Sequence, residues 1–174
     1  MERGYIEVYT GNGKGKTTAM IGLTVRAVGA NLKVFIGQFM KDAIYSEIKA
    51  LRERFPEVTI EQFGSGKGFV HANRISDKDI ESASYGYKRS LEALTSSLYD
   101  VVILDEINVA AFMNIISKKE VLDLMDKKPP NVELVLTGRY ASPEVIEKAD
   151  LVTEMKDIKH YFEKGVQGRY GIEK

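Results

Sequence analysis

The feature that most constrains this chain is a glycine- and lysine-rich segment between a predicted strand and a predicted helix. The strand covers residues 5–9, and the helix runs from Thr17 to Ala30, with Gly29 as its expected stop. The segment matches the phosphate-loop pattern G-x-x-x-x-G-K followed by Ser or Thr, except that Thr10 replaces the first glycine. It therefore predicts a site for a nucleoside triphosphate, with ATP expected, formed by Gly11, Asn12, Gly13, Lys14, Gly15, Lys16, Thr17 and Thr18.

Each residue type in this loop has a physical role in binding phosphate. Glycines allow the backbone to turn inward, so that successive N–H groups can face an anion. The start of the following helix adds about half a positive charge at the same place. Lys16 supplies a full charge, and the Thr17 hydroxyl can hold the Mg²⁺ (or Mn²⁺) that accompanies a triphosphate. The alternative is a glycine-rich turn that binds nothing, which the two lysines and paired threonines disfavour.

Predicted strands and helices alternate along the chain. The strands are residues 5–9, 33–39, 58–63, 100–106, 132–137 and 151–156. The helices are residues 17–30, 43–55, 76–98 and 117–127, followed by a short helix that begins at Ser142. This alternation predicts an α/β protein with a mostly parallel sheet flanked by helices. Because no repeat or linker interrupts the pattern, we expect one domain over residues 1–174.

Composition and charge exclude several other classes. Lys plus Arg and Asp plus Glu both count 25, so the chain lacks the broad positive field of a nonspecific nucleic-acid binder. No cysteine is present, which excludes disulfides and thiol chemistry within this chain. No apolar run approaches the ~20 residues of a membrane span, and no signal stretch precedes the first strand. We therefore expect a cytoplasmic protein with neither nucleic acid nor membrane as a partner.

A pair of carboxylates follows the most apolar predicted strand. Asp105 and Glu106 end the segment 100–106, in the manner of a Walker B motif. The carboxyl ends of parallel strands share one edge of the sheet, where ligands bind, so either acid could orient Mg²⁺. The sequence favours Glu106 as the metal ligand, with Asp105 close behind. Two acids that merely cap a surface strand are the alternative.

Two arginines and a basic tail are further candidates for contacts with the nucleotide or its partner substrate. Arg139 follows the strand 132–137 and should reach the same sheet edge, where its guanidinium could hold phosphate oxygens. Arg26 lies on the first helix, beyond the loop. Each could instead be an ordinary surface arginine, and the tail 156–169 could either contact substrate or be solvated.

The phosphate loop alone leaves three classes of function open, because one fold serves many activities. The first is an ATP hydrolase or kinase, in which Glu106 or Asp105 orients the attacking group at the γ-phosphate. The second is an enzyme that uses ATP through its ribose carbon. The third is a nucleotide-sensing module without turnover.

Read together, the motifs resemble those of the corrinoid adenosyltransferases, which make adenosylcobalamin from ATP and cob(I)alamin. The resemblance spans about residues 4–173, and the family loop G-N-G-K-G-K-T-T accounts for Thr10. It rests on residues 8–19, 26–29, 38–39, 105–108, 136–139 and 149–156. It implies a phosphate-loop, recombinase-like nucleotide-binding fold.

The resemblance also implies a chemistry in which the nucleotide lies reversed in the loop. The γ-phosphate would occupy the place where hydrolases hold the α-phosphate, and the ribose 5′-carbon would be exposed to cobalt(I). Triphosphate would then be the leaving group, stabilised by Lys16 as a catalytic residue, by Thr17 and by Mg²⁺. A reduced electron donor such as a flavoprotein, cobalamin or a related corrinoid as substrate, and a homodimer are the implied partners.

Two further catalytic residues come from the resemblance. Residues 68–71 match the family segment that packs against the lower face of the corrin, where two aromatics displace the lower ligand of cobalt. Phe69 matches the first aromatic. His71 stands where tryptophan is common, and a histidine could either stack on the corrin or ligate cobalt.

Overall fold

The computed structural model describes residues 1–66 and 75–173. Strands and helices alternate as the sequence predicts, except that two helices follow the fourth strand. In chain order the elements are β1 Ile6–Thr10, α1 Lys16–Gly29, β2 Val34–Phe39, α2 Ser46–Arg54, β3 Val58–Phe63, α3 Asp77–Thr95, β4 Val101–Asp105, α4 Ile107–Phe112, α5 Lys118–Asp126, β5 Glu133–Thr137, α6 Pro143–Lys148 and β6 Leu151–Glu154. A short 3₁₀ helix, Tyr161–Lys164, follows in the tail.

The six strands form one sheet in the order β3-β2-β4-β5-β1-β6, and each neighbouring pair is parallel. This confirms the predicted α/β class. Along β4, Val102 and Leu104 belong to one buried cluster, while Val101 and Ile103 belong to another. Because successive strand residues point to opposite faces, the sheet has a packed core on each side. The apolar run of β4 is therefore explained by burial on both faces.

The strand order brings the predicted functional segments to one edge of the sheet. β5 lies between β1, which leads into the phosphate loop, and β4, which ends at Asp105. Since the three strands are parallel, their carboxyl ends meet, as do the segments that follow them. The loop, the two carboxylates and Arg139 thus start from neighbouring strand ends.

Two helices, α3 and α5, begin with a capping box. In α3 the Asp79 carboxylate accepts from the Ser76 backbone N–H at 2.8 Å, and in α5 Glu120 does the same for Ser117 at 2.8 Å. The short helix α4 was not predicted. It begins directly after Glu106, which has a left-handed backbone with φ of 61°, so strand and helix join without a loop.

Residues 1–66 and 75–173 include no helix with the length and apolar character needed to cross a bilayer.

Candidate active site

The phosphate loop turns from β1 into α1 with backbone conformations that only glycine adopts easily. Gly11 has a φ of 91°, and a Cβ there would lie 2.3 Å from the carbonyl oxygen of Met155. Gly15 has a φ of 127° and is the N-cap of α1. The first-turn N–H groups of α1, starting at Lys16, have no partners within the helix and can receive an anion.

Part of the loop is held by the segment after β6. The Gly13 N–H donates to the Met155 carbonyl at 2.8 Å, and the Lys14 N–H lies 3.4 Å from the Asp157 carboxylate. These two N–H groups therefore bond to the segment after β6, whereas the glycine pattern predicts successive N–H groups that face the phosphate. The anion-binding N–H groups are instead expected at the start of α1.

The Lys16 side chain folds back over its own loop. Its ammonium donates to the carbonyl oxygens of Gly11 and Gly13, each at 2.6 Å, and the residue is only 7% exposed. Burial lowers the pKa of Lys16, while the nearby Glu106 carboxylate opposes that shift. The charge of this lysine is thus already placed at the centre of the loop.

Asp105 is the hub of a buried hydrogen-bond network that joins four elements. Its Oδ1 accepts from Thr137 Oγ1 at 2.7 Å and from Thr17 Oγ1 at 3.3 Å. Its Oδ2 accepts from Gln38 Nε2 at 3.0 Å and from Lys41 Nζ at 2.8 Å. The carboxylate is fully buried, so these contacts replace its hydration.

The ion pair between Asp105 and Lys41 sets the charge state of both groups. Burial would raise the pKa of Asp105, but Lys41 and the hydroxyl and amide donors outweigh it, and the pKa is lowered. Burial would lower the pKa of Lys41, but the Asp105 and Glu106 carboxylates outweigh it, and the pKa is raised. Both groups are therefore charged at neutral pH.

Glu106 differs from its neighbour Asp105 in its hydrogen bonds, in its contact with the cavity and in the direction of its pKa shift. Its carboxylate makes no hydrogen bond to the part of the chain that the structure describes, and it lines a cavity that lies over the phosphate loop. Burial, and then the Asp105 charge, raise the pKa of Glu106. Its backbone N–H donates to Thr137 Oγ1 at 3.1 Å, which fixes the turn into α4.

A cavity of about 680 Å³ lies over the loop and gathers most of the predicted site residues. Arg139 and Glu106 line it from the ends of β5 and β4, and Ser46 and Glu47 line it from the start of α2. Loop residues from Asn12 to Thr18 form its floor. Arg26 is not among the described residues that line it: the side chain is exposed in the last turn of α1.

The tail also reaches this cavity, which the sequence left open. His160 and residues 171–173 line it, and the Lys14 ammonium lies 3.3 Å from Glu173 Oε1. The predicted residues Phe69 and His71 lie outside the described residues.

Three residues of the Asp105 network were not assigned a role from the sequence: Gln38, Lys41 and Thr137. Each lies at or just after the carboxyl end of a strand, as Asp105 does. That position is the signal that could have found them, because polar side chains there face one shared edge of a parallel sheet.

The fold and the loop define a phosphate-loop nucleotide-binding protein of the α/β class. A family model described as ATP:corrinoid adenosyltransferase BtuR/CobO/CobP matches residues 2–173. A corrinoid adenosyltransferase of Pseudomonas aeruginosa is 36% identical over 172 residues, covering 99% of this chain and 84% of that protein. Corrinoid adenosyltransferases of Sinorhizobium sp. and Escherichia coli K12 are 35% and 33% identical, each over 99% of this chain and over 81% and 86% of their own lengths. The chain therefore belongs to the ATP:corrinoid adenosyltransferase family.

Proposed function

We propose that this protein transfers the 5′-deoxyadenosyl group of ATP to the cobalt(I) of cobalamin or a related corrinoid and releases triphosphate. The observation that carries the proposal is the match of residues 2–173 to the adenosyltransferase family, in a chain whose loop and cavity suit a triphosphate. Both substrates follow from family membership.

The work of the protein in this reaction is to hold two reactants and to stabilise a leaving group. Cobalt(I) supplies the electron pair that forms the bond to C5′, and the C5′–oxygen pair departs with the triphosphate. No protein base is required, because the nucleophile belongs to the corrinoid. Lys16, Arg139 and the first N–H groups of α1, which lie at the cavity or at the start of the helix beside it, would receive the negative charge.

The triphosphate is proposed to lie reversed in the loop, with its γ-phosphate at the start of α1. Lys14, Lys16 and Thr18 would then hold the leaving group, while the ribose points out of the cavity. Phe69 and His71 stay the predicted contacts with the lower face of the corrin, and Arg26 stays a predicted nucleotide contact.

The residues around Asp105 suit Mg²⁺ or Mn²⁺. Residues 1–66 and 75–173 contain no group of three or more His, Cys, Asp or Glu that could hold a metal. Mg²⁺ does not need such a cage, since it commonly binds one or two carboxylates together with substrate phosphates. The Glu106 carboxylate and the Thr17 hydroxyl would hold it, with Asp105 behind Thr17. Bound there, the metal would neutralise charge on the triphosphate.

A reduced donor such as a flavoprotein, a homodimeric assembly and a cytoplasmic location also stay predictions, based on the sequence and its resemblance.

The proposal is tested by identifying the phosphate product. The protein is mixed with ATP, Mg²⁺, cobalamin and a strong reductant, and the products are separated by anion-exchange chromatography. Inorganic triphosphate is expected, together with the visible spectrum of an alkylated cobalt. ADP with phosphate would contradict the proposal and favour a hydrolase, and nucleotide binding without turnover would favour a sensor.

A further inference from the structure

Lys41 places a cationic group between the two oxygen ligands that a phosphate-loop protein offers to a metal. Its Nζ is 2.8 Å from Asp105 Oδ2 and 3.4 Å from Thr17 Oγ1. The Lys41 side chain is 12% exposed, and the Asp105 side chain is fully buried. A loop threonine and a strand-end carboxylate commonly share Mg²⁺ in this class of protein. Here an ammonium of the chain lies beside both.

Asp105 has no acceptor site left for a metal. An ionised carboxylate offers about four lone-pair positions. Four donors already use them: the hydroxyls of Thr17 and Thr137, the amide of Gln38 and the ammonium of Lys41. A divalent cation could bind Asp105 directly only by displacing one of these donors.

The four charged groups at the centre of the site balance in the absence of nucleotide. Lys16 and Lys41 offset Asp105 and Glu106. A site with no net negative charge attracts a divalent cation weakly, and a bound triphosphate would supply the missing charge.

We propose that Lys41 is a positioning residue whose ammonium occupies the position beside Asp105 where a divalent cation would otherwise bind. A divalent cation then binds only together with the triphosphate. The inference rests on the metal and triphosphate site of the proposed function. Lys41 holds Asp105 as the acceptor for the Thr17 hydroxyl. The Thr17 hydroxyl donates to Asp105 and accepts from Lys41, so one of its lone pairs is left for the metal, together with the Glu106 carboxylate.

The test is a titration with Mn²⁺ alone, in which free Mn²⁺ is followed by electron paramagnetic resonance. The wild-type protein is expected to bind Mn²⁺ weakly in the absence of nucleotide. Lys41→Met removes the positive charge and should bind Mn²⁺ about tenfold tighter or more. The double variant K41M/D105N restores the balance of charge and should return to weak binding.

Two further variants keep the result interpretable if K41M is unstable. K41Q keeps a donor to Asp105 without the charge and should also gain Mn²⁺ affinity, whereas K41R keeps the charge and should not. Tight binding of Mn²⁺ by the wild-type protein without nucleotide would overturn the inference. So would K41M and K41Q affinities equal to that of the wild type.

The outcome is separable from the proposed function, because no corrinoid is present in the titration. If the wild-type protein transfers the adenosyl group but K41M and K41Q bind Mn²⁺ with the wild-type affinity, only the role of Lys41 is overturned. If the variants show the expected changes in Mn²⁺ affinity but the protein forms no cobalt–carbon bond, only the transfer reaction is overturned.

Discussion

Lys41 Nζ and Asp105 Oδ2 lie 2.8 Å apart and form an ion pair that joins the ends of β2 and β4. The carboxylate is fully buried and the ammonium nearly so. Burying two charges is costly, but removing only one partner leaves the other uncompensated, which costs more. The pair therefore couples the stability of the sheet edge to the geometry of the site.

This coupling predicts that Lys41→Met lowers the free energy of unfolding by ~3–5 kcal/mol, the cost of leaving one buried charge unpaired. The double variant K41M/D105N removes both charges and should recover most of that loss. Urea unfolding followed by circular dichroism measures both variants. Equal losses in the single and double variants would show that the charge pair is not the cause.

The adjacent carboxylates Asp105 and Glu106 should contribute with opposite signs to the pH dependence of the free energy of unfolding. Asp105 has a lowered pKa in the folded protein, so its stabilisation is present above the ordinary aspartate pKa and is lost as pH falls through the folded value. Glu106 has a raised pKa, so its charge destabilises the fold at neutral pH and stops doing so as the group is protonated.

Glu106→Gln is therefore expected to raise the Tm at pH 8, and the gain should shrink at pH 5. Thermal unfolding at the two pH values measures this difference. A gain of the same size at both would mean that the charge of Glu106 is not what destabilises the protein. The same variant should weaken Mn²⁺ binding in the presence of ATP, since it removes the proposed ligand.

One glycine of the loop and one glycine of the following helix give a matched pair of backbone variants. Gly11→Ala would place a Cβ 2.3 Å from the Met155 carbonyl oxygen at a φ of 91°, so the loop must move. We expect ATP binding to be lost by isothermal titration calorimetry. Gly22 lies inside α1 with open space around it, and Gly22→Ala should stabilise the protein by about 0.5–1 kcal/mol. ATP binding by G11A at the wild-type affinity would exclude the loop as the nucleotide site.

Lys16 should contribute more to kcat than the neighbouring Lys14. Its ammonium is buried at the centre of the loop, whereas that of Lys14 contacts the tail at the cavity rim. By analogy with loss of one oxyanion donor, Lys16→Met should lower kcat by about 10²–10³-fold, or ~3 kcal/mol. Lys14→Met should lower it far less. Rates of cobalt alkylation measure both, and similar losses would contradict a central role for Lys16.

The sequence was sufficient for the fold because strand and helix patterns alternate along it and the central strands β2, β4 and β5 are largely apolar runs suited to burial. β4 is the clearest case, with both faces of the strand covered. The loop and the two carboxylates were also predicted, since each has a local pattern. Their meeting at one edge followed from the parallel sheet alone.

The remainder of the site depends on contacts that no local pattern contains. Lys41 follows β2, and its partner Asp105 is 64 residues later, so only the strand order brings them together. Glu106 leaves the strand because it adopts a left-handed backbone, which the apolar run did not indicate. Glu173 reaches Lys14 across 159 residues, through a tail without periodicity.

In the proposed reaction the chemistry occurs at the ribose carbon while the loop holds the phosphates. ATP carrying ¹³C at its 5′-carbon tests this directly, in a reaction with the protein, Mg²⁺, cobalamin and a strong reductant. A ¹³C resonance of a carbon bonded to cobalt is expected, with one inorganic triphosphate released for each bond formed. Label that stays in ADP or AMP, with no cobalt–carbon resonance, would contradict it.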